Sequence, residues 1–423
     1  MARAEQGWRA NPQIGAAAYA QLLFQSGDFW SAWQVVRPLA ETWEVSTDAL
    51  RLAGRLAYML GHYDAAERYL KTLTDSLGPA ATTQEMNYLI LTYYQQNRFD
   101  RIAAMAAPAA TERPLMQLIR TFQERPYQLD WTGPSRISTV PLLATDPLPS
   151  FTMEINGRPV TVGFDTGADI LVLDADLAEA LGAKPFVAFG AYDPDGPGAR
   201  SGMSRVDSIR IGDVTIRHVP VLVAPIRRSA GLRQDRRIVL GGIVGTALLR
   251  QFVSTLDFTG GRIVLRERGT AGARDARAAL PRGIAAEIPF ALDSTHVMLT
   301  RGRINGSGDL TFFVDSGQTR GRDNQMMTAP IQTLRHLAIP EPGPAATQAE
   351  VSPGPSAPVS FHINSVHLGP LVQTDVSGEF GARSAETYWR GGYILDGVIC
   401  HGFLRKYSSW TIDFDSMSYI VGR

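Results

Sequence analysis

Two short stretches of this chain place a carboxylate at the mouth of a tight turn. Val162-Gly163-Phe164 runs into Asp165-Thr166-Gly167-Ala168-Asp169, and Phe312-Phe313-Val314 runs into Asp315-Ser316-Gly317-Gln318, with the two acids 150 positions apart. Each apolar run has strand character and ends on an acid, a small hydroxyl residue and a glycine. Two carboxylates held close together cannot both ionise, so one keeps a proton while the other stays charged. Such a pair can take a proton from water and give one to a leaving amine, with no metal and no nucleophilic side chain. Asp165 and Asp315 are therefore expected to meet in space and to share one proton that belongs to the pair.

Each acid needs a rigid element to carry it, and the flanking sequence supplies the same elements twice. In the first copy Thr152-Met153-Glu154-Ile155 alternates into Asn156-Gly157, a strong hairpin signal, and residues 159–164 return to Asp165. In the second, Arg303-Ile304 enters Asn305-Gly306 and residues 310–314 return to Asp315. Further on, 206–212 matches 363–369 and 242–250 matches 397–405. Leu256-Asp257-Phe258 likewise matches Ile412-Asp413-Phe414, and each copy closes on a short apolar strand.

A strand into D-[ST]-G, a hairpin in mid-module and an apolar-apolar-Gly turn before a short helix together resemble one lobe of a retropepsin-like aspartic protease. Two in tandem resemble a single-chain, bilobal version over about residues 135–423. A lone D-[ST]-G is a weak signal, whereas two inside duplicated modules are a strong one. The resemblance implies Asp165 and Asp315 as the catalytic dyad, the pattern for which this family is the standard example. Thr166 and Ser316 would cross-brace the two turns, and Gly167 and Gly317 would let backbone amides approach the carboxylates. Ala168, Asp169 and Gln318 would line the substrate cleft. Gly196 and Gly198, in the loop 192–198, would belong to a flap over the substrate, and the proline-rich run 340–358 occupies the second flap's position. Two departures stand in the second copy. Gln318 replaces a small residue, and Cys400 stands opposite Gly245, where a positive φ would strain a cysteine.

Ahead of these modules, residues 15–122 are Ala/Leu-rich with helical periodicity. Gly27-Asp28-Phe29, Gly61-His62-Tyr63 and Asn97-Arg98-Phe99 recur at spacings of 34 and 36. Each follows an apolar stripe and is itself followed by alanines, at Ala32, at Ala65 and Ala66, and at Ala103 and Ala104. The Gly or Asn would supply a left-handed cap, the aromatic would pack between helices, and the alanines would let the next helix approach. This grammar resembles the tetratricopeptide repeat, about three copies of it, and implies a surface for a partner or substrate.

At 423 residues the chain exceeds one ordinary core. The expected division is a helical repeat domain over 1–126, a first protease-like lobe over 127–268, a basic linker over 269–283 and a second lobe over 284–423. The fold class is thus multidomain, an α-helical array followed by an all-β bilobal protease fold. A formal net charge of +0 offers no global field for nucleic acid, and none is expected as a partner. No apolar run approaches a membrane span. Residues 1–12 lack the apolar core of a signal peptide, so the expectation is a cytoplasmic chain, or a periplasmic or secreted one if a leader has been removed. The single cysteine, Cys400, excludes an intrachain disulfide, and the histidines show no metal-ligand spacing, so neither metal nor cofactor is expected.

The expected activity is metal-independent endopeptidase hydrolysis of a peptide or protein substrate. Two other readings stand beside it, a non-catalytic peptide-binding adaptor on a degenerate fold and a dyad-dependent hydrolase of a narrow modified amide.

Overall fold

A computed structural model describes residues 12–42, 46–78, 83–105, 114–188, 201–228, 238–318, 326–339, 359–380 and 388–423. The chain divides into two compact units that cut across its linear order. One comprises Met1–Thr92, Ile288–Val314 and Gly321–Phe403; the other comprises Tyr93–Glu287, Asp315–Arg320 and Leu404–Arg423.

In the first unit, helices Pro12–Gln25, Phe29–Ala40, Thr47–Met59 and Tyr63–Leu77 form antiparallel pairs. The pairs turn at Gly27 (φ 77°) and Gly61 (φ 78°), as the recurring Gly-x-aromatic pattern requires. Asp28 caps the second helix by accepting the Ser31 amide, and Ser46 caps the third through Ala49, each at 3.1 Å. Phe29, Ala32, Leu56 and Ala66 are fully buried between these helices. The array is not a bare appendage. Arg55 is buried, lies 4.4 Å from the Phe24 ring centroid and stands 3.9 Å from the Asp293 carboxylate. Asp293 in turn accepts the hydroxyls of Tyr393 (2.8 Å) and Tyr88 (3.3 Å). A buried guanidinium persists only when charge and π faces replace water, and this cluster ties the helices to the second β module.

That module is a seven-stranded sheet. Its order is Ala291–Asp293, Val297–Ile304, Leu310–Val314, Gly397–Ile399, Met327–Thr328, Leu371–Phe380 and Val359–Leu368. Asn305 (φ 49°) and Gly306 (φ 76°) close the hairpin into Leu310–Val314, which then runs parallel to Gly397–Ile399.

The second unit repeats this plan. Asn156 (φ 46°) and Gly157 (φ 77°) join Ser150–Ile155 to Arg158–Phe164, and the latter runs parallel to Gly242–Val244. The sheet continues through Ile137–Ala144, Arg262–Glu267 and Phe252–Asp257 to Ser409–Asp413 and Ser418–Gly422, so the C-terminal strands complete the first module's sheet. Helices Phe99–Ala104 and Pro114–Arg120 also belong here, and Asn97 (φ 56°) supplies the third left-handed turn.

An N-terminal helical region followed by a β-rich region of two modules is the architecture expected. Three local details differ. A short strand at Gln128–Trp131, a run without alternation of its own, pairs with Val214–Ala224. The stretch expected as a linker carries the helix Thr270–Ala278, with Ala273 and Ala276 buried. In the third helical turn Ala103 and Ala104 face solvent while Ile102 is buried, because the short helix packs by its apolar residue and not by close approach of alanines.

Candidate active site

Asp165 stands where two parallel strands end together. Val162 pairs with Gly242 and Phe164 with Val244, and the Asp165 amide donates to the Val244 carbonyl at 3.1 Å. Past Gly245 the chain turns into the helix Thr246–Leu249, which supports the loop from below. The Thr246 hydroxyl donates to the Thr166 carbonyl (3.0 Å), and the Thr246 and Ala247 amides donate to the carbonyls of Ala168 (2.9 Å) and Asp169 (2.8 Å). Gly245 has φ −94° and ψ 175°, an extended backbone open to any residue. What it lacks is room, since a Cβ there would lie 2.4 Å from the Asp169 carbonyl oxygen. The glycine serves close approach and not a positive φ. Cys400, its counterpart, is likewise absent from the positive-φ residues, so the backbone strain considered for that cysteine does not arise.

The same unit holds the second acid turn beside the first. The Thr166 amide donates to Ser316 Oγ at 3.0 Å, and the Ser316 amide donates to Thr166 Oγ1 at 2.9 Å. Both residues are buried, so each hydroxyl–amide bond is made away from water, where losing a partner costs most. The brace sets the carboxyls against the opposite turns. A Cβ on Gly167 would lie 2.5 Å from Asp315 Oδ2, and one on Gly317 would lie 2.0 Å from the Asp165 carboxyl carbon. Only glycine fits at either place. Within its own turn, Asp165 Oδ1 accepts the Gly167 amide (2.7 Å), while Asp315 Oδ1 accepts those of Gly317 (2.8 Å) and Gln318 (3.1 Å).

Burial pushes the Asp315 carboxyl well above the usual carboxylate range, the Asp165 charge and a hydrogen bond to Asp165 push the same way, and the two amides only partly offset this. Asp315 thus holds a proton under conditions in which an exposed acid would have lost it. Tyr419, on the C-terminal strand, has its phenol raised by burial first and by the Asp315 charge second.

Of the residues singled out in the sequence, Asp165, Thr166, Gly167, Asp315, Ser316 and Gly317 come together in this cluster. Ala168, Asp169 and Gln318 continue from it and are half-buried. Gly196 and Gly198, like the proline-rich run 340–358, lie outside the described residues. Asp257 pairs with Arg262 at 2.8 Å, and Asp413 caps its own turn through Ser416 at 2.7 Å, both structural roles. Sequence reasoning missed Tyr94, whose hydroxyl reaches Asp169 Oδ1 at 3.4 Å, and it missed Tyr419. Neither has a local sequence signal, because both arrive from distant elements. Among the described residues no group of three or more His, Cys, Asp or Glu is placed to hold a metal ion. None of their helices is long and apolar enough to cross a membrane.

The first β module thus ends its strand on Asp-Thr-Gly, braced through the hydroxyl and backed by a Gly-Thr helix turn, as the resemblance read from the sequence implied. In agreement, residues 151–246 match the family model described as Aspartyl protease, a span holding both Asp165 and the Gly245 turn. The chain is also similar to the crystal structure of a retropepsin-like aspartic protease from Rickettsia conorii, with 14% identity over 33% of this chain and 95% of that one and a TM-score of 0.23. No curated protein matches the chain.

Proposed function

We propose that this protein is an aspartic endopeptidase whose Asp165/Asp315 dyad hydrolyses peptide bonds. The observation that carries this reading is the reciprocal Thr166–Ser316 brace, which sets two carboxyls together and leaves one of them with a strongly raised affinity for its proton. Asp165, as carboxylate, takes a proton from a water whose oxygen attacks the scissile carbonyl carbon, while the Asp315 proton passes to the carbonyl oxygen. As the tetrahedral intermediate collapses, the C–N bond breaks, the amine leaves with the proton held by Asp165, and Asp315 takes back the hydroxyl proton as the carbonyl re-forms. Thr166, Gly167, Ser316 and Gly317 hold the pair; Ala168, Asp169 and Gln318 line the cleft that takes an extended peptide. The helical array, read as tetratricopeptide-like repeats over 1–126, recruits substrate or a protein partner to lobes spanning 127–268 and 284–423, with 269–283 between them. Neither metal nor nucleic acid takes part.

An internally quenched peptide library, assayed across pH with and without a chelator, tests this. Asp165→Asn and Asp315→Asn are each expected to lower turnover by about 10³-fold or more, and the chelator to change nothing. Wild-type turnover in both variants would remove the dyad from the reaction.

A further inference from the structure

The loop that follows Asp165 is held by more than its own lobe. Arg250 ends the helix Thr246–Leu249, the same helix whose Thr246 and Ala247 amides support the carbonyls of Ala168 and Asp169. It is a buried guanidinium, and its bonds run to the helical array. It donates to the Tyr94 carbonyl (2.7 Å), to Asn97 Oδ1 (2.9 Å) and to Gln95 Oε1, and it lies 4.8 Å from the centroid of the Tyr94 ring. Next to it, the Asn97 side-chain amide donates to Gln251 Oε1 at 2.8 Å, and Gln251 donates to the Ala247 carbonyl at 2.7 Å. Tyr94, fully buried and stacked on Phe99, directs its hydroxyl to Asp169 Oδ1. The left-handed turn at Asn97 thus meets the acid loop twice, from beneath through Arg250 and Gln251, and at the carboxylate through Tyr94.

From this geometry we infer that the last turn of the helical array is a positioning element for the substrate side of the site, with Tyr94 and Arg250 acting through Asp169 and the loop 165–169. This rests on the reading of the dyad as a peptidase site. Tyr94 and Arg250 touch neither water nor scissile bond. They set where the Asp169 carboxylate and the Ala168–Asp169 backbone meet a peptide.

Tyr94→Phe keeps the ring, its stack and the Arg250 contact, and removes only the hydroxyl. With the quenched peptide library it is expected to raise KM about 3- to 10-fold with kcat within about 2-fold, the pattern of lost ground-state contacts. Asp169→Asn is expected to do the same, and the double variant to show no further loss, because the two act as one unit. Arg250→Met unpairs the array's acceptors and can fail to fold, so Arg250→Lys accompanies it and should recover part of the KM. Amide hydrogen exchange over residues 166–170, measured in Tyr94→Phe and wild type, gives a readout independent of turnover. Faster exchange there in a protein that cleaves no peptide would support the positioning role while discarding the peptidase reading. Unchanged KM and unchanged exchange in Tyr94→Phe, or additive effects in the double variant, would overturn it.

Discussion

The two acid turns share a residue grammar and differ in how that grammar is supported. In the first module Asp165 accepts the Gly167 amide of its own turn, and the loop behind it rests on the Gly245 backbone so closely that no side chain fits. In the second, Asp315 takes two amides from its turn, yet burial and the neighbouring charge still dominate and hold its proton on. The Gly245 position is occupied there by Cys400, fully buried, with its thiol 3.7 Å from the Val398 carbonyl. The difference teaches that the duplicated motif specifies the placing of the acids and not the packing behind each loop. Burial raises the Asp315 carboxyl, and the proton it keeps is shared with Asp165 as one buried pair.

The comparison can be broken first at the glycines. A Cβ on Gly317 meets the Asp165 carboxyl carbon at 2.0 Å, whereas one on Gly167 meets an Asp315 oxygen at 2.5 Å. Gly317→Ala is expected to lower turnover about 10²-fold or more through misplacement of the base. Gly167→Ala should cost less. Equal losses, or a larger one at Gly167, would show that the two halves tolerate displacement alike.

Next comes the support behind each loop. Gly245→Ala would drive a methyl into a backbone carbonyl at 2.4 Å, which no rotamer change relieves. A loss of about 3 kcal/mol, the upper end for overpacking, is expected by chemical denaturation. Cys400→Gly removes a small buried side chain and should cost only about 1–2 kcal/mol. If the cysteine variant proves the less stable of the two, the modules do not differ in the way the close approach implies.

The smallest effect sharpens the electrical contrast. A carboxyl whose folded pKa is raised binds its proton more tightly folded than unfolded. Its stabilising contribution is full below the ordinary carboxylate range and is lost as pH rises from there through the raised folded value. Asp315→Asn cannot lose that proton, so its melting temperature should exceed that of wild type by about 2 °C or more at pH values above the raised pKa. The gap should close towards acid pH. A gap that widened on acidification would place the proton elsewhere in the pair.

Much of this was legible along the chain. The Asn-Gly hairpins, the strands that end on Asp165 and Asp315, and the left-handed turns at Gly27, Gly61 and Asn97 follow from local rules of φ and periodicity. The strand at Gln128–Trp131 was not legible, because so short a run takes its strand form from pairing with Val214–Ala224 and not from its own alternation. The helix Thr270–Ala278 escaped notice because an Ala/Gly/Arg composition reads equally as linker, and only burial of Ala273 and Ala276 decides it.

By itself, then, the sequence determined which residues could form the acid pair and what backbone carries each of them, since strand, turn and glycine preferences act over a few neighbouring residues. Tertiary structure alone decided how tightly the pair keeps its proton and what stands behind the loop. Desolvation of Asp315, the missing space at Gly245 and the reach of Arg250 to Tyr94 and Asn97 are set by atoms brought together from far along the chain. Burial and close contact belong to the packed molecule, and no local spacing encodes them.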